Sequence, residues 1–269
     1  MAIITLTSDW GDSDYYVPAV KGALYSRIPD ANIVDITHKI ASFDVRSAAF
    51  IVKNCYKNFP EGTIHILAVD TEESIDNPHI VLKVNGHYFV GTDNSIFSMI
   101  IGDDPYEAVI IEVVQDTDFF TFSTRDRFVK VVDMIYKGSQ LSDIGVPYRI
   151  KDISVFQPSY DANAIHGMVY YIDAYENIIT NISKTLFESI RAGRKFSIKI
   201  CSGFHTIKEI HRGYNDVQND EIVALFGTHG LLEIAINHSN ASSLLGMDYK
   251  SAVDIYFEDE KEQKEFSMF

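Results

Sequence analysis

The chain has 269 residues and a formal net charge of −15, with 46% hydrophobic and 23% charged residues. This composition is that of a globular protein with one large domain or two modest ones, and the negative charge argues against nucleic acid and anionic membranes as partners. We expect neither a membrane span nor a signal peptide, because no long apolar run is present and the N-terminus lacks a basic segment before an apolar one. Cys55 and Cys201 lie far apart in apolar surroundings, which predicts reduced thiols and a cytoplasmic location.

The first 70 residues alternate between strand and helix signals. Three segments have the apolar, β-branched character of strands: residues 3–7, 32–36 and 64–69. Between them we expect a helix capped by Asp14 and ending near residue 28, and a second helix capped by Ser42 or Asp44 and ending near residue 58. This order of elements predicts a parallel or mixed α/β sheet.

A hairpin signal follows. The dipeptide Asn85-Gly86 separates two strand-like segments, residues 79–84 and 87–90, and it favours a two-residue turn. Further elements are predicted as a helix over 96–101, a strand over 108–114 and a helix over 125–136. Residues 145–160 contain two prolines and no clear period, so we expect the domain boundary there.

The remaining chain is dominated by strand signals. The strand-like segments are residues 165–172, 178–182, 195–200, 206–210, 222–226 and 231–236. One clear helix is predicted over 184–192 with Ser183 as its cap, and the segment EDEKEQKEF is expected to be a solvated acidic tail. We therefore predict an α/β fold: an N-terminal α/β domain, residues 1–155, with a central mostly parallel sheet, followed by a smaller β-rich C-terminal domain, residues 160–269.

Chemistry-bearing residues collect where the predicted strands end. Asp70 directly follows the buried strand over 64–69, and ligands of open α/β sheets bind outside the carboxyl ends of strands. An equally simple interpretation is that Asp70 caps a turn after the strand. Asp9 ends the first strand, and its acceptor-only carboxylate suits the paired hydroxyls of a ribose. We find no phosphate-binding glycine loop, no G-x-S-x-G motif and no zinc spacing.

Seven segments, in order and spacing, resemble one family. They are SDWGDSDYYVPAVKG, VDITHKIASFDVRSAAF, FPEGTIHILAVD, YFVGTDNSIFS, FSTRD, YIDAYENIITNI and GTHGLLEIAINHSNASSLLG. The family is the S-adenosylmethionine hydroxide adenosyltransferases, or S-adenosylmethionine hydrolases, which also includes the fluorinase and chlorinase. The resemblance implies an α/β N-terminal domain, a β-rich C-terminal domain and a homotrimer that binds substrate between domains of neighbouring subunits. It also implies that water or hydroxide displaces methionine from the ribose C5′ to give adenosine, with no metal or cofactor.

The resemblance carries individual roles to matching positions. Asp9 is expected to hold the ribose hydroxyls, Phe43 to line the pocket and Asp70 to act in catalysis. In the second domain, Asp173 is expected to bind the methionine ammonium, and Asn177 to lie in the adenine or ribose pocket. The remaining expected contacts, to the methionine carboxylate and adenine, are Thr228, His229, Asn237 and His238.

The sequence departs from the family at its catalytic triad. Where family hydrolases have an Arg after the Asp, this chain reads VDTEESIDN and places Asn77, and the triad His is replaced by Ser123, next to Thr124. We predict that Asp70, Ser123 and Thr124 hold the attacking water, and we consider His79 as a replacement imidazole. Two alternatives stay open: a protein that only binds S-adenosylmethionine or adenosine, and an enzyme that acts on a different nucleoside or nucleophile.

Overall fold

The computed structural model describes residues 3–152 and 157–258. The chain divides into two compact units, residues 1–153 and 154–269. The predicted domain limits, 155 and 160, stay predictions because residues 153–156 lie outside the described part. All but the first residue of the predicted acidic tail also lies outside it.

The first unit contains seven strands and four α-helices among its described residues. The strands are β1 (Ile3–Ser8), β2 (Asn32–Thr37), β3 (Ile64–Ala68), β4 (His79–Val84), β5 (His87–Thr92), β6 (Tyr106–Ile111) and β7 (Gly145–Pro147). The helices are α1 (Tyr16–Arg27), α2 (Val45–Lys53), α3 (Ile96–Ile101) and α4 (Val129–Tyr136). A π-helical turn, Thr124–Phe128, leads directly into α4.

The strands of the first unit form one sheet in the order β2-β1-β3-β5-β4-β6-β7. The neighbours from β2 to β5 pair in parallel, and the remaining pairs are antiparallel. Five of the seven strands therefore run in one direction, and the predicted mostly parallel α/β sheet is confirmed. The sharp turn between β4 and β5 uses positive φ angles at Asn85 and Gly86, as the predicted hairpin requires.

Both faces of this sheet are buried. Along β3, Ile64, Ile66 and Ala68 pack on the face covered by α1 and α4. Leu67 and Val69 alternate with these residues and pack on the opposite face, which α2 and α3 cover. Side chains of a strand alternate between faces, so a strand buried on both sides is mostly apolar. This explains the apolar residues 66–69 that precede Asp70, whereas the buried polar residue of β3, His65, bonds Thr5 and His87.

The second unit is built from antiparallel strands. They are β8 (Ser159–Tyr160), β9 (Ala164–Ile172), β10 (Ile178–Ser183), β11 (Phe196–Ile200), β12 (His205–Ile207), β13 (Ile222–Phe226), β14 (Leu231–Ile236) and β15 (Ala252–Phe257). Their order is β12-β11-β15-β9-β10-β14-β13, with β8 paired to β9. Two helices, α5 (Lys184–Arg191) and α6 (Ala241–Leu245), accompany them, and the predicted β-rich character of this unit is confirmed.

Several local predictions need correction. Asp14 does not cap α1, because the capping position falls on Tyr15 and no side chain bonds the first turn there. Of the two candidate caps for α2, Asp44 accepts a hydrogen bond from Ser47 N, and the helix ends at Lys53 rather than near residue 58. The predicted strand over 108–114 lies at Tyr106–Ile111, and strand β15 was missed. The Ser183 cap is confirmed.

Candidate active site

The polar ends of three neighbouring parallel strands meet at one edge of the first sheet. Strand β3 lies between β1 and β5, and Ser8 of β1 is in register with Ala68 of β3. Asp9, Asp70 and Asn94 follow these strands by one or two residues. Carboxyl ends of adjacent parallel strands form the usual ligand crevice of such sheets. The sheet topology therefore brings together residues that are far apart in sequence.

A cavity of about 800 Å³ opens at this edge, a size typical of small-molecule sites. It is lined by Asp9, Trp10, Tyr16, Ser42, Phe43, Asp70, Thr71, Glu72, Glu73, Phe120, Thr121 and Ser123. Four of the sequence-predicted site residues are in this lining: Asp9, Phe43, Asp70 and Ser123. Among the described residues, this lining has four carboxylates and no cationic side chain, so its electrostatic character favours a positively charged ligand.

Asp9 and Phe43 are linked directly. The backbone N–H of Phe43 donates to Oδ2 of Asp9 at 2.9 Å. Phe43 has a φ of 66° and a side chain that is 72% exposed. The bond occupies one carboxylate oxygen of Asp9 and fixes the turn that carries the aromatic ring. The structure therefore provides an oriented acceptor and an exposed aromatic surface at the same cavity.

Asp70 is in an environment that strengthens it as a base. Burial raises the pKa of its carboxyl group, and the negative charges of Asp9 and Glu72 raise it further. Its backbone has a φ of 49°, the left-handed region that few residues other than glycine occupy. A half-buried carboxylate with a raised pKa and an unusual backbone geometry is typical of functional positions.

His79 does not line the cavity. It is fully buried, with Nε2 at 3.0 Å from the carbonyl oxygen of Thr71 and Nδ1 at 3.1 Å from Nη1 of Arg127. A carbonyl accepts and a guanidinium donates, so the ring carries its proton on Nε2 and is neutral. Burial lowers its pKa in agreement with that state. The hypothesis that His79 supplies an imidazole to the reaction is therefore wrong for this conformation, and the residue instead holds the loop after Asp70.

Arg127 links His79 to the acidic loop after Asp70. Its Nη1 donates to Oε2 of Glu73 at 2.7 Å as well as to His79. The guanidinium thus lies next to the acidic loop but outside the residues that line the cavity. In contrast, Asn77 closes a turn with Ser74 and accepts a bond from Lys151, away from the lining.

One wall of the cavity is aromatic. Trp10 and Tyr16 line it, with ring centroids 5.8 Å apart, and both pack edge-on against Phe122 at 5.7 and 5.2 Å. The guanidinium of Arg125 lies 5.0 Å above the Phe122 ring. Aromatic faces of this kind bind flat or apolar ligand groups, including a nucleobase or a thioether.

Ser123 and Thr124 differ in their access to the cavity. Ser123 lines it, and its hydroxyl donates weakly to the carbonyl of Phe120 at 3.4 Å. Thr124 is only 1% exposed and is not in the lining, and its hydroxyl has no hydrogen-bond partner within the described ranges. The structure therefore brings Ser123 to Asp70 across a shared cavity and leaves Thr124 outside the lining.

The second unit contains a separate cavity of about 790 Å³. Its lining includes four of the predicted binding residues: Asp173, Asn177, Asn237 and His238. Asp173 is held by two bonds from Asn177, from its backbone N–H at 2.8 Å and its side-chain amide at 3.0 Å. Tyr175 and Tyr214 add aromatic surface.

Thr228 and His229 are not in that lining. His229 has Nε2 at 3.2 Å from Oε2 of Glu233, and its Nδ1 accepts from Leu231 N. The other oxygen of Glu233 accepts from the hydroxyl of Tyr214 at 2.6 Å. The structure thus places His229 in a partly buried network that holds a cavity tyrosine, whereas a direct substrate contact remains a prediction.

Sequence reasoning missed several residues in and around the first cavity. Trp10 and Tyr16 flank the predicted Asp9 loop, and their aromatic character so close to a strand end was the available signal. Asn94 follows β5 and was not singled out. Nothing local indicates that Arg127 contacts Glu73, since 54 positions separate them.

The described residues contain no group of three or more His, Cys, Asp or Glu side chains arranged to hold a metal ion. Within the same part of the chain, no helix has the length and apolar character needed to cross a membrane. The expectation that the reaction uses no cofactor stays a prediction.

Comparison with known proteins defines the family. The model of the SAM hydroxide adenosyltransferase N-terminal domain matches residues 4–145, and that of the C-terminal domain matches residues 167–254. An (R)-S-adenosyl-L-methionine hydrolase of Methanocaldococcus jannaschii is 27% identical over 273 residues, covering 95% of this chain and 96% of the relative. A fluorinase of Nocardia brasiliensis is 24% identical over 230 residues, covering 74% of this chain and 77% of the relative.

A solved structure agrees with this result. An uncharacterized conserved protein from Thermotoga maritima has a TM-score of 0.82 at 25% identity, and the alignment covers 95% of this chain and all of that one. The fold and the strand-end cavity define an α/β protein with a small-molecule site. The chain belongs to the SAM hydroxide adenosyltransferase family.

Proposed function

We propose that the protein hydrolyses S-adenosyl-L-methionine by attack of water or hydroxide on the ribose C5′, giving adenosine and L-methionine. One observation carries the proposal: Asp9, Phe43, Asp70 and Ser123 line a single cavity in a member of this family. Four curated relatives named (R)-S-adenosyl-L-methionine hydrolase support it.

The chemistry of the substrate determines what the site has to supply. The C5′–S bond breaks with its electron pair moving to sulfur, which neutralises the sulfonium, so the leaving group needs no acid. The new bond joins C5′ to the oxygen of water, which must release a proton. Alignment of a partly desolvated nucleophile behind C5′ at about 3–3.5 Å accounts for much of the rate.

Asp70 suits the role of orienting this water and accepting its proton. Its raised pKa makes it a stronger base than an ordinary carboxylate, and a positioned base contributes roughly 10²–10⁴-fold. Ser123 has a hydroxyl in the same cavity and supplies a second hydrogen-bonding group for the water. Asp9 is proposed to hold the ribose hydroxyls, with Phe43 and the aromatic wall against the apolar parts of the substrate.

The acidic lining favours substrate over product. S-Adenosylmethionine carries a sulfonium charge, whereas adenosine is neutral. The four carboxylates of the lining therefore attract the substrate more strongly than the nucleoside product. This difference should weaken at high ionic strength, because salt screens exposed charges.

The test is incubation of the protein with S-adenosyl-L-methionine, with adenosine and methionine followed by chromatography. We expect both products in equal amounts and neither with heat-inactivated protein. Calorimetric titration with adenosine measures binding separately. Binding without any turnover contradicts the proposed hydrolase, and absence of both contradicts the assignment of the cavity.

A second candidate is an S-adenosylmethionine- or adenosine-binding protein without turnover. The observation that favours it is that the described part of the chain places no Arg or His side chain in the cavity lining. His79 and Arg127 instead bond the loop after Asp70. Adenosine binding with no adenosine release from S-adenosylmethionine would establish this function instead.

Assembly and location belong to the same proposal. We propose a homotrimer, as the family resemblance implies, and light scattering that gives a monomeric mass in dilute neutral buffer contradicts it. We also propose a cytoplasmic location, which agrees with the free thiols of Cys55 and Cys201.

A further inference from the structure

Three consecutive backbone carbonyls beyond strand β3 accept hydrogen bonds from two side chains, one just after β5 and one at the start of β4. The side-chain amide of Asn94 donates to the carbonyls of Val69 and Asp70, both at 3.0 Å. His79 Nε2 donates to the next carbonyl, that of Thr71, at 3.0 Å. The backbone on both sides of the Asp70 carboxylate is thus fixed by side chains rather than by sheet pairing.

Both polar atoms of the Asn94 side chain are engaged in this arrangement. Its amide has two N–H donors, one for each carbonyl, and its oxygen accepts from the N–H of Ile96 at 3.3 Å. Because Ile96 is the first residue of α3, the same side chain joins the end of β3 to the start of that helix. The contact spans 24 positions of sequence.

Asp70 has a left-handed backbone conformation, with a φ of 49°. Such conformations are uncommon for residues other than glycine, and aspartate tolerates them better than most, so nearby contacts determine whether one is kept. The strand pairing of β3 ends before Asp70, so the ladder does not hold this backbone. The two bonds from Asn94 lie on either side of the Asp70 Cα and hold it instead.

We infer that Asn94 is a positioning residue for the reaction, acting through Asp70. The inference rests on the proposed function, since it assigns to Asn94 the direction in which the Asp70 carboxylate faces the attacking water. Asn94 is not among the residues that line the cavity, so we assign it a role through Asp70 rather than through direct contact with substrate. Misplacement of a catalytic group by about 1 Å costs on the order of 10²-fold in rate, which sets the size of the expected effect.

The kinetic test compares two matched variants. Asn94→Ala removes the two donor bonds, and Asn54→Ala removes one bond from a side-chain amide to the carbonyl of Phe50 at the end of α2, outside the cavity lining. We expect Asn94→Ala to lower kcat by about 10- to 10²-fold with little change in KM or in adenosine affinity. Asn54→Ala should leave kcat unchanged. If both variants lower the melting temperature, this difference shows that the loss of kcat in Asn94→Ala does not come from lower stability.

A double-mutant cycle shows whether Asn94 acts through Asp70. In an Asp70→Asn background the Asn94→Ala change should cost nothing further, because the group that it positions is no longer a base. An equal loss in both backgrounds, or a loss confined to KM, overturns the inference. Asn94→Asp is the second variant if the alanine protein does not fold, because it keeps the oxygen that accepts from Ile96 N.

A crystal structure of Asn94→Ala separates this inference from the proposed function. We expect Asp70 to leave its left-handed conformation and its carboxylate to turn. If the wild-type protein shows no turnover, the proposed function fails, and the crystal structure alone decides the positioning role. An unchanged backbone at residues 69–71 in the variant overturns the inference, whatever the activity.

Discussion

Asp9 and Asp70 follow two neighbouring parallel strands, and the charge of Asp9 raises the pKa of the Asp70 carboxyl group. The two residues are separated by 61 positions in sequence but line the same cavity. Their proposed roles differ because their surroundings differ. Asp9 accepts a backbone hydrogen bond from Phe43, whereas burial and two nearby negative charges raise the pKa of Asp70 above its usual value.

This relationship predicts a shift in the pH profile. Asp70 has to be ionised to accept a proton, so kcat should fall as the pH drops through its pKa. Glu72 is one of the charges that raise this pKa. Glu72→Gln removes that charge, and the acidic limb of the kcat profile should therefore move to lower pH. Asp103→Asn, which removes an exposed carboxylate outside the lining, should not move it. A limb that stays in place or moves to higher pH in Glu72→Gln contradicts the assigned role of Asp70.

The acidic lining also predicts that halide ions are poor nucleophiles in this protein. Four carboxylates repel an anion that approaches C5′, whereas water is neutral. We expect no 5′-chloro- or 5′-fluoro-5′-deoxyadenosine in reactions with chloride or fluoride. The stringent condition is about 1 M chloride, where the Debye length is ~3 Å and repulsion between exposed charges is screened. Detection of the chlorinated nucleoside by mass spectrometry would show that the lining does not control the choice of nucleophile.

A buried histidine predicts loss of stability in acid. Burial lowers the pKa of His65 from 6.5 to about 3, and the positive potential of a protonated His87 opposes its protonation further. His65 is neutral in the folded state, while the unfolded chain takes up a proton below about pH 6.5. Its contribution to the free energy of unfolding is therefore full above pH 6.5 and lost as the pH falls toward 3, by up to about 1.4 kcal/mol per pH unit.

Urea unfolding at several pH values between 7 and 4 measures this effect. His65→Phe is the informative variant, because the ring stacks on Phe89 with centroids 4.6 Å apart and phenylalanine preserves that packing. We expect the variant to lose some stability at neutral pH, since Thr5 and His87 lose a hydrogen-bond partner. Its free energy of unfolding should depend less on pH than that of the wild type. An equally steep dependence in both proteins refutes this account.

Asp14 and Asp44 were both considered as helix caps, and we expect their replacement to affect stability differently. Asp44 accepts hydrogen bonds from the N–H and hydroxyl of Ser47, whereas Asp14 is exposed and caps nothing. Asp44→Ala should lower the free energy of unfolding by about 1 kcal/mol, and Asp14→Ala should leave it nearly unchanged. Urea midpoints measured at neutral pH check both. Equal effects would mean that the Asp44 contacts do not stabilise α2.

Much of the fold was predictable because its signals are local. The apolar segment before Asp70 and the Asn85-Gly86 dipeptide each determine their element without help from distant residues. Strand β15 also has a local signal, since Val253, Ile255 and Phe257 alternate inward, and it was overlooked rather than hidden. The prediction that Asp14 caps α1 was wrong for a different reason. Capping depends on the backbone angles at one position, and the residue types nearby do not determine those angles.

The candidate site was predictable only in part. Asp9 and Asp70 were recognisable as strand ends, and the sheet order brings them together. The direction of a side chain depends on its neighbours in space, so sequence proximity suggested that His79 faces the cavity when it is in fact turned toward Thr71 and Arg127. Asn94 can bond the backbone around Asp70 only because β5 lies beside β3, and this strand order is not evident from the sequence.

The measurement that tests the central claim most directly is turnover of S-adenosyl-L-methionine in water enriched in ¹⁸O by wild type, Asp70→Asn and Asp103→Asn. We predict that wild type and Asp103→Asn place one ¹⁸O atom at the 5′ position of adenosine at similar rates. Asp70→Asn should be slower by about 10²-fold or more with adenosine affinity nearly unchanged. Adenosine without ¹⁸O, or undiminished turnover in Asp70→Asn, would contradict attack by a water that Asp70 orients.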